Sequence, residues 1–131
     1  TPTKMGFDLM IEARFRVSKE DGTFFVYGVK DGYIATHHRI NPSEYVVPKE
    51  HREFTATRGH IFHAYIQYIS DDEFEADARY FLEKFPTWQE VTEHYIYDAV
   101  GSDWSEEEHN QFKAAIEWFA SKPGFCVSWS Y

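Results

Sequence analysis

Phe7-Asp8-Leu9-Met10-Ile11-Glu12-Ala13-Arg14-Phe15-Arg16-Val17 is the stretch whose reading decides the fold. Phe7, Leu9, Ile11, Ala13, Phe15 and Val17 alternate with Asp8, Met10, Glu12, Arg14 and Arg16, and only Met10 breaks the polar set. Side chains along a strand point alternately to opposite faces, so this period of two predicts a half-buried strand. Lys19-Glu20-Asp21-Gly22 follows as a hairpin turn, because glycine accepts the positive φ such turns require. Thr23 to Val29 is β-branched and aromatic and predicts a second strand. Asp31-Gly32 is another turn signal, and Tyr33 to Ile40 reads as a third strand. The beginning of the chain therefore predicts an antiparallel meander.

Outward from the meander, residues 41–52 carry Pro42 and Pro48 and read as a long loop, with Tyr45, Val46 and Val47 suited to a short edge strand. Glu53 to Thr57 and His60 to Ile69 suit a further hairpin about Arg58-Gly59. The second piece has two periods: His60-Phe62-Ala64-Ile66-Tyr68 fits a strand, whereas Ile61, Tyr65, Tyr68 and Ile69 fit a helix face. Strand is the favoured reading.

The second half carries three capping boxes, each a Ser or Thr followed three residues later by Glu: Ser70/Glu73, Thr87/Glu90 and Ser105/Glu108. The hydroxyl accepts an orphan N–H of the first turn and the Glu reaches back to the cap residue. Apolar stripes follow each box: Phe74, Ala78, Phe81 and Phe85; then Trp88, Val91, Tyr95, Ile96 and Ala99, closed by Gly101; then Phe112, Ala115, Ile116 and Phe119, closed by Lys122-Pro123-Gly124. Phe125, Val127, Trp129 and Tyr131 alternate with Cys126, Ser128 and Ser130 as a closing strand. The expected fold is α+β: an antiparallel β meander of four to six strands, three helices packed on one face, and a final C-terminal strand. One domain spans 1–131, with 1–69 mainly β, 70–124 mainly helical and 125–131 the closing strand.

The 131 residues are 43% apolar and 19% aromatic, enough for a packed core without covalent staples. A lone cysteine, Cys126, excludes an intramolecular disulfide and points to a reducing, cytoplasmic setting. No apolar run approaches the ~18 residues of a membrane span. The net charge of −9 opposes direct binding to nucleic acid. It is also uneven, with a balance of +1 over residues 1–69 and −10 over residues 70–131.

Motifs of catalysis are absent: no GxSxG, Walker loop, GxGxxG or HExxH occurs. Cys126, in an apolar strand, reads as an inert thiol. His37 and His38 are adjacent and diverge on a strand, and so do His60 and His63, which would share a face only on a helix. Neither a metal nor a cofactor is expected.

Asp71, Asp72, Glu73, Glu90, Glu106, Glu107 and Glu108 all fall in expected first helical turns, where each favours the helix dipole by ~0.3–1 kcal/mol. That explains their positions without cancelling the field they make. Tyr80, Tyr97, Trp104 and Trp118 fit the apolar stripes less well than the other aromatics. Trp118 sits roughly 110° from the centre of its stripe, on the flank of the helix.

Two function classes follow. The first is a small acidic, non-catalytic interaction protein. It binds a basic partner protein of the nucleic-acid-binding type through Asp71, Asp72, Glu75, Asp103, Trp104, Glu106, Glu107, Glu108 and Trp118. Inhibitors and nucleic-acid mimics carried by phages and other mobile elements share this charge signature, which is an analogy of composition. The second is a small-ligand binder or small enzyme that holds an anionic ligand or nucleotide with His37, His38, Arg39, Arg58, His60 and His63. Sheet edges and exposed aromatics make a homo-oligomer compatible with either.

Overall fold

The computed structural model describes residues 7–17, 20–26, 38–59, 61–69, 75–95, 104–122 and 124–130. The decisive alternation is realised over strand β1, Asp8–Ala13: Leu9 and Ile11 are buried, while Met10 is 46% exposed. The run then divides. Arg14 leaves the ladder, its N–H donating to the Gly124 carbonyl at 2.8 Å, and Phe15–Val17 forms strand β2 in a different sheet. Strand β3, Phe24–Val26, returns antiparallel to β2, with Phe15 opposite Val26 and Val17 opposite Phe24. Its turn is the expected one: Gly22 has φ 71°, and the Asp21 carboxylate accepts the Thr23 N–H at 2.9 Å. Strand β4, His38–Arg39, completes this second sheet in the order β2-β3-β4. The rest of the expected third strand, with the Asp31-Gly32 turn, lies outside the described residues.

The long loop contains two 3₁₀ helices in place of an edge strand: η1, Pro42–Tyr45, and η2, Lys49–Thr55. Asn41 caps η1, its Oδ1 accepting the Ser43 N–H at 3.1 Å. Both turns start at a proline-containing corner, where the fixed φ suits a helical first turn. Phe54 of η2 is buried against Phe112, ring centroids 5.3 Å apart.

Strand β5, Ala56–Arg58, pairs antiparallel with β1. Gly59 then turns the chain at φ 156°, and residues Ile61–Ile66 form helix α1 where a strand was favoured. The reason is a broad buried face: Ile61, Phe62, Ala64, Tyr65, Ile66 and Ile69 are buried while His63, Gln67 and Tyr68 are partly or fully open, so the apolar positions fit both sequence periods and alternation did not decide between them.

Strand β6, Glu75–Asp77, stands where the first capping box placed a helix. Helix α2, Ala78–Glu83, starts instead from Asp77, whose Oδ1 accepts the Arg79 N–H at 2.9 Å. Ser70, Glu73 and Phe74 lie outside the described residues. The other two boxes form. For helix α3, Trp88–Tyr95, Thr87 Oγ1 accepts the Glu90 N–H at 3.1 Å and Glu90 Oε1 accepts the Thr87 N–H at 2.9 Å. For helix α4, Glu106–Ala120, Ser105 and Glu108 exchange the same pair of bonds.

Strand β7, Phe125–Ser130, closes the chain and enters the middle of the first sheet, whose order is β5-β1-β7-β6, antiparallel throughout. The expected α+β class is therefore the observed one. Facing pairs Leu9–Trp129, Ile11–Val127 and Val127–Ala76 set one apolar sheet face. The helices cover it through Phe81 on Trp129, centroids 6.4 Å, and Phe119 on Phe125, 5.1 Å.

Candidate functional site: an acidic helical face and its groove

Helix α4 carries four of the nine expected partner-binding residues, Glu106, Glu107, Glu108 and Trp118. Its buried face is His109, Phe112, Ala115, Ile116 and Phe119. At ~100° per residue, the outward surface divides into two stripes. One carries Glu106, Asn110, Lys113 and Glu117; the other carries Glu107, Gln111, Ala114 and Trp118. Glu106, Glu107 and Glu117 are exposed, and among the described residues no ion pair engages them. Glu90 and Glu93 of α3 are likewise exposed; among the described residues the Glu90 carboxylate accepts the Thr87 N–H, its backbone carbonyl accepts the Tyr68 hydroxyl, and the Glu93 carboxylate accepts the Gln89 amide. Three of the four cations of this half are occupied locally, Arg79 with Asp77 at 3.2 Å, Lys84 over the Tyr80 ring at 5.7 Å and Lys122 over the Trp118 ring at 5.4 Å, while the fourth, Lys113, is exposed on the stripe of Glu106 and Glu117. The charge imbalance read from the sequence therefore reaches the surface.

The six described members of the nine expected partner-binding residues do not form one patch. Asp71, Asp72 and Asp103 lie outside the described residues. Glu75 is spent on an ion pair with Arg14 across the sheet. Glu108 is held in the capping box. Trp104 is half-buried, with its indole N–H donating to the Tyr65 hydroxyl at 2.9 Å and its ring edge-on to Phe62 at 5.3 Å. Trp118 packs on Phe119 and Phe125 at 5.3 and 5.6 Å and keeps one side partly open beside His51, 6.3 Å away. Glu106, Glu107 and Trp118 remain at the surface of α4.

Between η2 and α4 runs a groove of about 460 Å³ that the sequence reading missed. Its walls are Glu50, His51 and Glu53 on one side and Gln111 and Ala114 on the other. Residues three apart on a 3₁₀ helix eclipse one another, so Glu50 and Glu53 stack on one side of η2. Glu107 and Trp118 belong to the stripe of α4 that forms the other wall and stand at its two ends, ~16 Å apart along the axis. No lysine or arginine lines the groove. Arg52 is turned back, its Nε–H donating to the Val47 carbonyl at 3.1 Å.

The expected anion-binding set is dispersed. His37 and His60 lie outside the described residues, and for His38 only the backbone is described. Arg58 pairs with Asp8 at 3.3 Å on the sheet edge. His63 sits on α1 with its ring against Phe7, centroids 5.4 Å. Arg39 lines a separate cavity of about 300 Å³ with Lys122, Asn41 and Tyr45, but Glu44 shares that cavity and Asp21 stands 3.9 Å from the guanidinium. The cations there already face carboxylates.

Beneath the acidic face lies a buried polar chain, Trp104–Tyr65–His109. Tyr65 hydroxyl and His109 Nδ1 are 2.8 Å apart. An indole N–H can only donate, so the Tyr65 oxygen accepts from Trp104; the direction of the Tyr65–Nδ1 bond is set by the His109 tautomer, and with neutral His109 protonated on Nε2 the hydroxyl donates to Nδ1. Burial pushes the Tyr65 hydroxyl well above its ordinary value, against the pull of the Trp104 bond. Burial also lowers His109, with Lys113 adding to the effect and Glu106 opposing it. Tyr65, Trp88, Phe85 and Phe112 enclose the pair. Cys126 is buried, and burial raises its thiol to about 11, so it is no nucleophile at neutral pH. Among the described residues, no group of three His, Cys, Asp or Glu side chains is placed to hold a metal ion, and no helix is long and apolar enough to cross a membrane.

No family model, curated protein or solved structure matches the chain.

Proposed function

We propose that this protein is a non-catalytic interaction module that docks its acidic helical face on a basic partner protein of the nucleic-acid-binding type, as inhibitors and nucleic-acid mimics do. One observation carries the reading: Glu106, Glu107 and Glu117 are exposed and in no ion pair among the described residues, and Lys113 alone stands against them on α4, the other cations of this half being engaged locally. A surface that keeps its charge uncompensated attracts an oppositely charged partner and repels polyphosphate.

The test is capture on immobilised protein at about 50 mM and about 500 mM salt, since exposed charge attraction is screened. A basic protein is expected to bind at low salt, to elute at high salt, and to be lost with the double variant Glu106→Lys, Glu107→Lys. Glu108 is left intact because its carboxylate caps α4. The variant's far-UV circular dichroism is expected to match wild type. Undiminished capture by a folded variant would overturn the proposal.

A further inference from the structure

We propose that the groove between η2 and α4 receives an arginine side chain of the basic partner. The inference rests on the acidic-face reading and gives it a place and a chemistry. Three features of the groove fit arginine. Ala114 and the side-chain stems of its neighbours supply a mainly apolar floor for the arginine methylenes. Glu50 and Glu53, stacked on η2, present exposed carboxylates that a planar guanidinium can bridge through paired N–H donors. Beyond the lining, Trp118 stands one turn further along the same stripe, 6.3 Å from His51 of the groove wall, an aromatic surface that holds a cation, the Lys122 ammonium 5.4 Å from its ring centroid. Lysine shares the charge but lacks the flat fork that two stacked carboxylates and an aromatic wall select. An acidic partner segment is excluded by the same carboxylates, and a wholly apolar one would leave both of them desolvated without a counter-charge.

The groove is filled by no side chain among the described residues.

The experiment is a two-dimensional NMR titration of the ¹⁵N-labelled full chain with a peptide of alternating glycine and arginine. A matched peptide carries citrulline, the uncharged isostere, at each arginine. The arginine peptide is expected to shift the Gln111 side-chain amide, the Ala114 amide and the His51 amide most. The double variant Glu50→Gln, Glu53→Gln is expected to weaken binding about tenfold, the order seen for close charge pairs at interfaces. Ala114→Trp, at an exposed position, is expected to block binding by volume without changing charge. Both variants keep the wild-type amide spectrum away from the groove if they fold. If the arginine peptide binds but shifts the Glu106–Glu117 stripe instead, with affinity unchanged in the Glu50→Gln, Glu53→Gln variant, the groove assignment falls and the acidic-face reading stands. Equal binding of the citrulline peptide overturns the assignment too. No binding of the arginine peptide at low salt removes both.

Discussion

His109 is the residue whose chemistry differs most from its neighbours on α4. It is 4% exposed on the apolar face of the helix, and its Nδ1 is bonded to the Tyr65 hydroxyl, which accepts the Trp104 indole N–H. Protonation makes both ring nitrogens donors, so Nδ1 no longer accepts the Tyr65 proton, and it charges a buried ring. The groups that act on it are Lys113 and Glu106 from α4 and the Tyr65 hydroxyl from α1, with uncharged Trp88 and Phe85 completing the enclosure. The folded-state pKa lies below the ordinary 6.5. Above pH 6.5 both folded and unfolded chains hold the ring neutral, and its full contribution to stability is present. As pH falls below 6.5 the unfolded chain takes a proton that the folded chain refuses, so stability declines until the pH passes the folded value. Urea unfolding is therefore expected to show lower stability at pH 5 than at pH 8, and His109→Gln, which cannot titrate, is expected to flatten that part of the profile. An unchanged profile in the variant would assign the acid sensitivity to other groups. The chain of bonds was not legible beforehand, because Tyr65 comes from α1, far in sequence from Trp104 and His109, which stand together at the start of α4. Trp104 read as an off-stripe aromatic, suited to an interface; its partner turned out to be internal.

At the scale of elements, legibility followed the locality of the interactions. Capping boxes at Thr87/Glu90 and Ser105/Glu108 are closed within four residues, and the sequence showed both. Strand β1 was legible because only one of its faces is buried, leaving Met10 and Glu12 outward. Helix α1 was not, since its broad buried face fits both periods. Strand β6 is three residues long and exists only because β7 arrives beside it, Ala76 opposite Val127. The groove has the same cause: η2 and α4 are brought together by Phe54 on Phe112, a contact invisible to any local pattern. The local caps also allow a quantitative expectation. Ser105→Ala removes the acceptor for the Glu108 N–H and releases the Glu108 carboxylate from the cap. It is expected to lower unfolding free energy by about 1 kcal/mol, measured by urea denaturation at pH 7. A change below about 0.3 kcal/mol would mean that packing of the α4 stripe alone fixes the start of the helix.

For the whole molecule, the sheet order decides where stability resides. The last strand lies between β1 and β6, so the first sheet closes only when the two ends of the chain meet. Six residue pairs join β7 to β1, from Asp8–Ser130 to Ala13–Phe125, and Leu9, Ile11, Val127 and Trp129 are buried on the face beneath the helices. The second sheet is joined to the first through the break at Arg14 and has three residue pairs between β2 and β3 and two between β3 and β4, with Phe24 36% exposed. Protection from hydrogen exchange follows buried contact and ladder length, because an amide opens locally when little is lost by opening it. Ladder amides of Ile11 and Val127 are thus expected to exchange only through global unfolding, with protection that tracks the stability measured by urea. Ladder amides of β3 are expected to exchange at least about 100-fold faster and to be insensitive to Ser105→Ala, since their opening leaves α4 and the first sheet intact. Hydrogen exchange followed by mass spectrometry, on wild type and on Ser105→Ala, distinguishes the cases. Equal protection in both sheets, falling together in the variant, would mean that the break at Arg14 couples the two sheets into one cooperative unit, and that the acidic face of α4 and the β2-β3-β4 sheet unfold as one.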